Sequence, residues 1–296
     1  MSKLVFATRK SPLALAQSRA FVHTVTDAHP GLTAEELWIV TSGDRFAVER
    51  LQDIGGKGLF VKELEEALLD GRADFAVHSI KDVPAELAPG LAIVCVPRRE
   101  DPRDVLVTRG PSLSELPAGA RVGTSSLRRA VALKQHRPDL VIEPLRGNVD
   151  TRLRRVEEGA VDAIVLARAG LVRLGIEARA TQVLEVEESL PAVGQGALGI
   201  EVRTDDARVR ELLLAVHDAE TSIAVSAERG LMASVGGSCR MPIAAHARRD
   251  GADLHLRAFV ADSDGSRVRS GERRVPWPTT DEDARRLGAD LGAELR

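Results

Sequence analysis

Short apolar runs alternate with runs of helical period along the first two thirds of the chain, and together they define its predicted elements. Strands are predicted at residues 4–7, 37–40, 75–80, 91–96, 121–123, 140–142 and 163–167. One helix begins after Ser11, a capping residue followed by a proline, and another carries Val61, Leu64 and Leu68 on one face. Because strands that alternate with helices form open sheets covered by helices, we predict an α/β fold here.

The pattern changes near residue 219. A helix predicted over residues 222–232 is followed by alternating strand patterns, such as residues 254–260, and by an amphipathic helix from Asp281. Strands and helices that are grouped in this way are typical of an α+β domain. We therefore predict a small C-terminal α+β domain over residues 219–296.

Two features indicate how the residues before 219 are divided into domains. Residues 97–102 contain two prolines and four charged residues, a composition typical of a hinge between domains. Residues 190–200 are predicted to return the chain to the first sheet. The predicted first domain therefore comprises residues 1–97 and 197–216, and the second comprises residues 102–191.

The composition narrows the class of protein. The 296 residues are 44% hydrophobic, which is enough for the cores of two or three domains. The chain enters a strand pattern at once, without the features of a signal peptide, and no later segment is a membrane-span candidate, so we expect a cytoplasmic protein. Aromatic residues make up 3% of the chain and tyrosine is absent, so the stacking platform of single-stranded nucleic-acid binders is missing.

The two cysteines, Cys95 and Cys239, have neither the spacing of a disulfide framework nor that of a metal site. Cys95 falls within an apolar strand and is expected to be buried. Cys239 follows two glycines and precedes Arg240, a setting that would stabilise an accessible thiolate. It is a candidate reactive thiol, and the alternative is a free structural cysteine in a reduced compartment.

Adjacent charges end the strand predicted at residues 75–80. Lys81 and Asp82 precede the strand-breaking Pro84. Ligands of open α/β sheets bind beyond the carboxyl ends of the strands, so both side chains are predicted to project into a cleft. The alternative is a surface ion pair that opens a loop.

Arginines follow several other strand ends. Arg9 lies between a strand and a helix start, an arrangement that binds anions. Arg128 and Arg129 lie in the first turns of a helix, where the helix dipole disfavours positive charge. The segments that follow the next two predicted strands contain Arg146, Arg152 and Arg173. We interpret this placement as a cleft for a polyanionic ligand, and the alternative is a solvated arginine surface. The glycine-rich residues Gly55, Gly56, Lys57 and Gly58 are predicted to form a mobile flap.

Seven segments resemble one known family. They are residues 7–14, 55–60, 78–84, 99–104, 122–129, 145–149 and 190–196, and they occur in the order found in porphobilinogen deaminase, also called hydroxymethylbilane synthase. The resemblance covers essentially the whole chain. It implies two periplasmic-binding-protein-like domains joined by a hinge, followed by a small α+β domain that carries the cofactor cysteine.

The resemblance also implies an activity. The family is a transferase of tetrapyrrole and heme biosynthesis that joins four porphobilinogen molecules head to tail, releases ammonia and yields hydroxymethylbilane. Its primer is a dipyrromethane cofactor, which the motif match attaches to Cys239 through a thioether. It implies no metal and a monomeric enzyme without nucleic-acid or membrane partners. A hand-off of the product to uroporphyrinogen-III synthase is a further expectation.

The same match assigns roles to single residues. Asp82 corresponds to the catalytic aspartate. The residues implied to bind the cofactor, besides Cys239, are Lys81, Asp82, Thr124, Ser125, Ser126, Arg128, Arg129, Arg146 and Gly147. The residues implied to bind substrate are Arg9, Ser11, Arg146, Arg152, Arg173 and Gln195. Guanidinium groups suit this role because the acetate and propionate groups of each pyrrole accept paired hydrogen bonds.

Some positions depart from the family pattern, and two other classes share part of it. A serine precedes Cys239 where the family more often has glycine, Asp53 replaces a lysine of some members, and Arg168 has no assigned role.

A solute-binding clamp would have the hinged fold without needing Asp82 or Cys239. A nucleic-acid-binding protein could use the arginines, but the net charge is -3 and aromatic residues are few.

Overall fold

The structure is a computed structural model that describes residues 3–42, 61–236 and 241–296. The chain divides into two compact units. The first comprises Met1–Arg99 and Ala197–Ser222, and the second comprises Glu100–Gly196 and Ile223–Arg296. Within the described ranges, no helix is both long and apolar enough to cross a membrane. The boundaries of the three predicted domains and the hinge stay predictions.

The first unit is built on one five-stranded sheet. Its elements are β1 (Lys3–Arg9), β2 (Thr33–Ile39), β3 (Phe75–Ser79), β4 (Leu91–Cys95) and β10 (Leu198–Arg203), with helices α1 (Pro12–Ala28), α2 (Lys62–Leu69) and α6 (Ala207–Leu214). The strand order is β2-β1-β3-β10-β4. β1 pairs in parallel with β2 and β3, whereas β10 runs antiparallel between β3 and β4.

Both faces of this sheet are covered, because adjacent residues of a strand point to opposite sides. Phe6 joins one core, in which Phe75 stacks on it at 5.9 Å between ring centroids and Phe21 of α1 packs edge-on against Phe75 at 6.1 Å. Ala7, the next residue, joins the opposite core with Leu64 of α2. The apolar strands predicted from sequence are therefore buried between two layers of helix.

The second unit contains a second five-stranded sheet. Its elements are β5 (Asp104–Thr108), β6 (Arg121–Gly123), β7 (Val141–Glu143), β8 (Ala163–Ala167) and β9 (Gln182–Val183), with helices α3 (Leu127–His136), α4 (Val149–Glu157) and α5 (Arg168–Arg173) and a 3₁₀ turn (Glu177–Arg179). The order is β7-β6-β8-β5-β9, and β6 runs parallel to both of its neighbours. The carboxyl ends of these three parallel strands therefore meet at one edge of the sheet.

The C-terminal part of the second unit is an antiparallel sheet with two helices. The strands β11 (Ile243–Asp250), β12 (Asp253–Val260) and β13 (Arg269–Pro276) pack with α7 (Ala219–Ser234), which begins in the first unit, and α8 (Asp281–Leu295). The predicted fold class is confirmed by two five-stranded α/β sheets covered by helices and by a small C-terminal α+β part.

Glycines allow α7 and α8 to approach closely. A Cβ atom built on Gly288 would lie 1.8 Å from the Ala227 carbonyl oxygen, and one built on Gly230 would lie 2.0 Å from the Arg285 carbonyl oxygen. Side chains at these positions would force the helix backbones apart. Backbone contact at these glycines therefore sets how deeply α8 packs into the C-terminal core.

Candidate active site

Arg9 and Ser11 lie where the first strand meets the first helix. β1 ends at Arg9, and Ser11 caps α1 because its Oγ accepts a hydrogen bond from the Ala14 amide at 3.3 Å. Pro12 occupies the first turn, where no amide hydrogen is needed. The predicted strand, polar turn and capped helix start are therefore present.

Asp82 ends a 3₁₀ turn, Ile80–Asp82, that directly follows β3. Ile80 anchors this turn: its side chain is 1% exposed and its amide donates to the Ala197 carbonyl at 3.0 Å. Lys81 is half-buried, whereas Asp82 is exposed. The buried Ile80 thus fixes the turn, and the turn exposes the Asp82 carboxylate to solvent at the end of a central strand.

A cavity of about 60 Å³ lies against these strand ends. Its lining comprises Arg9, Ser11, Leu13, Ala14, Gln17, Val61, Leu64, Val77, His78, Ser79 and Asp82. Within it, the Ser79 hydroxyl donates to Gln17 Oε1 at 3.0 Å. The structure therefore brings three predicted site residues, Arg9, Ser11 and Asp82, to one cavity of the first unit.

Arg128 and Arg129 converge on a carboxylate, Asp104, for which the sequence indicated no role. Arg128 donates to Asp104 Oδ2 at 2.8 Å, and Arg129 donates through Nη2 to Oδ1 at 2.7 Å. Ser189 donates to Oδ2 at 2.7 Å and Gln195 donates to Oδ1 at 3.0 Å. We call these five residues the Asp104 cluster. It is deeply buried, since Asp104 is 0% exposed and Arg128 is 5% exposed.

The cluster is held together by charge. Burial alone would raise the pKa of the Asp104 carboxyl, but the charges of Arg128 and Arg129 outweigh burial and hold that pKa well below its usual range. The carboxylate therefore stays ionised. Two arginines share one carboxylate, so the cluster keeps an excess of positive charge even though both guanidinium groups are bonded.

The loop between β6 and α3 is arranged by its own hydroxyl groups. Thr124 Oγ1 accepts the Ser126 amide at 3.1 Å, and Ser126 Oγ caps α3 by accepting the Arg129 amide at 3.4 Å. Ser125 is exposed and donates to the Leu145 carbonyl at 3.0 Å. The capping predicted for residues 124–126 is confirmed, and Ser125 ties this loop to the segment that contains Arg146.

Arg152 lies close enough to Arg129 and Arg146 for both of their charges to act on it. Burial, followed by the charges of Arg129 and Arg146, lowers the pKa of Arg152 to about 10. Arg152 Nε donates to the Gly147 carbonyl at 2.9 Å. Gly147 has φ +106°, which favours glycine, and this turn sets up the cap of α4 by Asn148. The like charges of Arg129 and Arg146 disfavour the charged form of Arg152, and a bound anion would oppose that effect.

Arg173 and Gln195 also lie in the second unit. Arg173 donates to the Gly196 carbonyl at 2.6 Å, and burial lowers its pKa to about 10, opposed by the charge of Glu100. Gln195 is 1% exposed and also donates to the Pro102 carbonyl at 2.6 Å. In this conformation Gln195 therefore serves the Asp104 cluster, and its predicted contact with substrate stays a prediction.

Arg168, which had no assigned role, has a structural partner. Its Nη1 lies 2.5 Å from Asp101 Oδ2, and Arg103 binds the same carboxylate at 2.7 Å. Burial raises the pKa of Asp101, but the hydrogen bonds from Arg103 and Arg168 lower it overall to about 2. Arg168 thereby fixes the chain just before β5.

Several predicted positions are not described by the structure. Cys239 and Arg240 lie outside the described residues, as do Asp53 and the predicted flap, Gly55 to Gly58. Cys95 is described, and its predicted burial is confirmed at 0% exposure. Burial raises the pKa of its thiol to about 12, so this cysteine is unreactive.

Two buried acids in strands were missed by reasoning from sequence. Asp104 begins the apolar strand β5, and Glu201 lies within the apolar strand β10; both are 0% exposed. The available signal was a carboxylate inside a strand that is otherwise buried, because such a group requires a partner. Glu201 has His78, whose Nε2 lies 2.9 Å from Glu201 Oε2.

The fold and these sites define an α/β protein for anionic ligands, with one unit presenting a carboxylate on a rigid turn and the other concentrating guanidinium groups. The family model described as porphobilinogen deaminase, dipyromethane cofactor binding domain, matches residues 4–211, and that of the porphobilinogen deaminase C-terminal domain matches residues 222–296. The chain belongs to the porphobilinogen deaminase family.

A full-length relative agrees with this assignment. Porphobilinogen deaminase of Sorangium cellulosum (strain So ce56) is 68% identical over 296 residues, covering 100% of this chain and 99% of that protein. Solved structures with partial likeness include the VFT2 domain of BvgS from Bordetella pertussis, at 16% identity and a TM-score of 0.43, covering 77% of this chain and 91% of that domain. A periplasmic binding protein of Salmonella typhimurium has 14% identity and a TM-score of 0.39, with 73% and 92% coverage.

Proposed function

We propose that this chain joins four porphobilinogen molecules head to tail, with loss of ammonia, and releases hydroxymethylbilane. Membership of the porphobilinogen deaminase family makes it an enzyme of tetrapyrrole biosynthesis with a dipyrromethane cofactor. The observation that carries the residue assignments is the group formed by Arg129, Arg146 and Arg152, in which burial and then the charges of Arg129 and Arg146 lower the pKa of Arg152 to about 10. Such a group suits a ligand that carries several carboxylates.

The residues that are described fit the cofactor. A dipyrromethane carries two acetate and two propionate groups, which are hydrogen-bond acceptors for guanidinium and hydroxyl groups. In the second unit, Arg146, Arg152 and the exposed Ser125 supply such donors near one strand end. Thr124, Ser126, Arg128 and Gly147 support them by arranging the loop, the helix cap and the buried cluster. When bound through Cys239, the cofactor supplies the pyrrole carbon to which the first substrate is joined.

Asp82 is the proposed catalytic residue. Positive charge develops on the pyrrole rings as ammonia leaves and as the new carbon–carbon bond forms. An ionised carboxylate fixed on the turn after β3 stabilises that charge and accepts a proton, and each role is of a kind worth about 100-fold or more in rate. Lys81 precedes Asp82 in the chain, and Arg9 lines the same cavity as Asp82. Their positive charges can therefore bind substrate carboxylates beside the catalytic residue.

The finer assignments belong to the same proposal. Residues 1–97 with 197–216 form the domain that carries Asp82, residues 102–191 form the arginine-bearing domain, and residues 219–296 carry Cys239. Arg9, Ser11, Arg173 and Gln195 bind substrate, and residues Gly55 to Gly58 form a flap. The enzyme is a cytoplasmic monomer that passes hydroxymethylbilane to uroporphyrinogen-III synthase.

The intact mass of the purified protein tests the cofactor. We expect an excess equal to two linked pyrrole units, which Cys239→Ser removes. Cys95→Ala is the matched control, because Cys95 is buried within β4 and should leave the excess unchanged. An active preparation with the unmodified mass would contradict the proposal.

Turnover tests the role of Asp82. Asp82→Asn should keep the mass excess and the fold but lose nearly all formation of hydroxymethylbilane from porphobilinogen. Asp70, which is exposed at the end of α2, provides a control, since Asp70→Asn should retain full activity. Near-normal turnover by Asp82→Asn would contradict the assigned role.

A further inference from the structure

A buried histidine and glutamate lie directly behind the strand end that carries Asp82. His78 is in β3 and Glu201 is in the antiparallel neighbour β10, where Gly199 is the residue paired with His78. Their side chains are 4% and 0% exposed, and Nε2 of His78 lies 2.9 Å from Oε2 of Glu201. The pair is thus part of the core of the first unit, four residues before Asp82 in the chain.

One face of this pair reaches the cavity already described. His78 lines the cavity together with Asp82, Arg9 and Ser79. Because Nε2 is engaged by Glu201, the ring nitrogen left for a contact in the cavity is Nδ1. At about 60 Å³ the cavity has room for water, and its polar lining provides hydrogen-bond partners for water.

The other face of the pair carries an unsatisfied group. Within the described part of the chain, Glu201 Oε1 is buried without a hydrogen-bond partner. Leaving a buried carboxylate oxygen unpaired is costly, and replacing such a pair with apolar residues is often neutral or stabilising. A pair whose purpose was only to join β3 to β10 would not need this charge, which indicates a chemical use for it.

The surroundings set which charged groups the pair can sense. From α2, Glu65 is half-buried, its pKa is raised by burial, and the charges of Glu201 and His78 act on it in opposite directions. From the cavity side, Arg9 and Asp82 are the charged groups that share the lining with His78. A buried carboxylate that accepts from one imidazole nitrogen fixes the tautomer and the orientation of the ring.

We propose that His78, oriented by Glu201, takes part in proton transfer with Asp82 through the cavity during each addition. This inference rests on the proposed function. The substrate C–N bond breaks and a C–C bond forms, while the attacked pyrrole carbon loses its proton to the Asp82 carboxylate. Because ammonia leaves before the C–C bond forms, Asp82 passes that proton, directly or through water, to Nδ1 of His78, and the imidazolium gives it to the aminomethyl nitrogen of the next substrate, which then leaves as ammonia. One proton moves from carbon to nitrogen, and no oxidant or reductant is needed.

The decisive variant is His78→Gln. The glutamine amide nitrogen can donate to Glu201 as Nε2 does, so the tie between β3 and β10 is retained while the ionisable ring is lost. We expect the mass excess of the cofactor to be unchanged and kcat to fall by about 10- to 100-fold, at the low end of general acid–base effects. KM for porphobilinogen should change little, because no substrate-binding group is removed.

The pH profile separates proton transfer from structural support. His78 must be neutral to accept a proton, so kcat of the wild-type enzyme should fall as pH drops through the pKa of this histidine. His78→Gln should lose that limb. Glu201→Gln, which removes the negative partner, should move the same limb to lower pH. A purely structural role would leave the shape of the profile unchanged.

His255→Gln is the matched control. His255 in β12 also faces a glutamate, Glu272, with Nε2 to Oε2 at 3.1 Å, but it lies in the C-terminal sheet. This variant should keep the wild-type kcat and profile. Wild-type kcat together with an unchanged profile in His78→Gln would overturn the inference. If that variant does not fold, an unmoved limb in Glu201→Gln overturns it, and if neither folds, the pair is structural and the inference is rejected.

Different results would contradict the proposed function and the role of His78. Wild-type protein without a mass excess or without consumption of porphobilinogen would contradict the function itself. Active wild type, inactive Asp82→Asn and fully active His78→Gln would remove only the role of His78.

Discussion

Replacing Asp104 with asparagine removes one negative charge from a fully buried polar group of the second unit. The substitution keeps the size of the side chain and one acceptor oxygen. It places an amide NH₂ group, a donor, among the donors of Arg128, Arg129, Ser189 and Gln195, which bind Asp104 at 2.7 to 3.0 Å. Two guanidinium groups are then left buried without their shared carboxylate.

The expected loss of stability follows from that geometry. Removing one partner of a buried ion pair costs about 3–5 kcal/mol, because the remaining charge stays desolvated. A domain is stable by only about 5–15 kcal/mol, so this loss is a large fraction of the total. The stabilisation also depends on pH. Because the pKa of Asp104 is held below its value in the unfolded chain, the contribution is complete above that unfolded pKa and is lost as pH falls through the folded pKa.

Equilibrium urea unfolding at neutral pH measures this effect. Asp104→Asn should lower the free energy of unfolding by about 3–5 kcal/mol. The control is Asp139→Asn, which breaks an exposed pair with Arg137 and should shift the urea midpoint far less. If Asp104→Asn unfolds at the same urea concentration as the wild type, the two arginines do not depend on this carboxylate and the reasoning fails.

Three further predictions concern other parts of the structure. Gly288→Ala should lower the free energy of unfolding by about 1–3 kcal/mol in urea titrations, because its Cβ would collide with the backbone of Ala227. Arg152→Gln should raise KM for porphobilinogen at least ~10-fold without loss of stability, since it removes a charged donor from a group of like charges; an unchanged KM would contradict the site. Asp101→Asn should destabilise at neutral pH, and its difference from the wild type should shrink as pH falls toward about 2, the folded pKa that Arg103 helps to set.

The sequence determined the local elements well. The strand predicted at residues 75–80 is Phe75–Ser79, and the helix predicted to begin after Ser11 begins at Pro12. The capping role of residues 124–126 was also predictable. These features depend on neighbouring residues alone: apolar alternation, a capping hydroxyl and a proline in the first turn act within a few residues of one another.

Only the tertiary structure decided which charged groups are paired. Arg128 and Arg129 were expected to face the ligand, yet their hydrogen bonds run to Asp104, which lies 24 and 25 residues earlier in the chain. His78 and Glu201 are 123 residues apart and meet because β10 returns to lie beside β3. The energy of a charge depends on its burial and its partner. Both are set by the order of strands in a sheet, which the local pattern of residues does not encode.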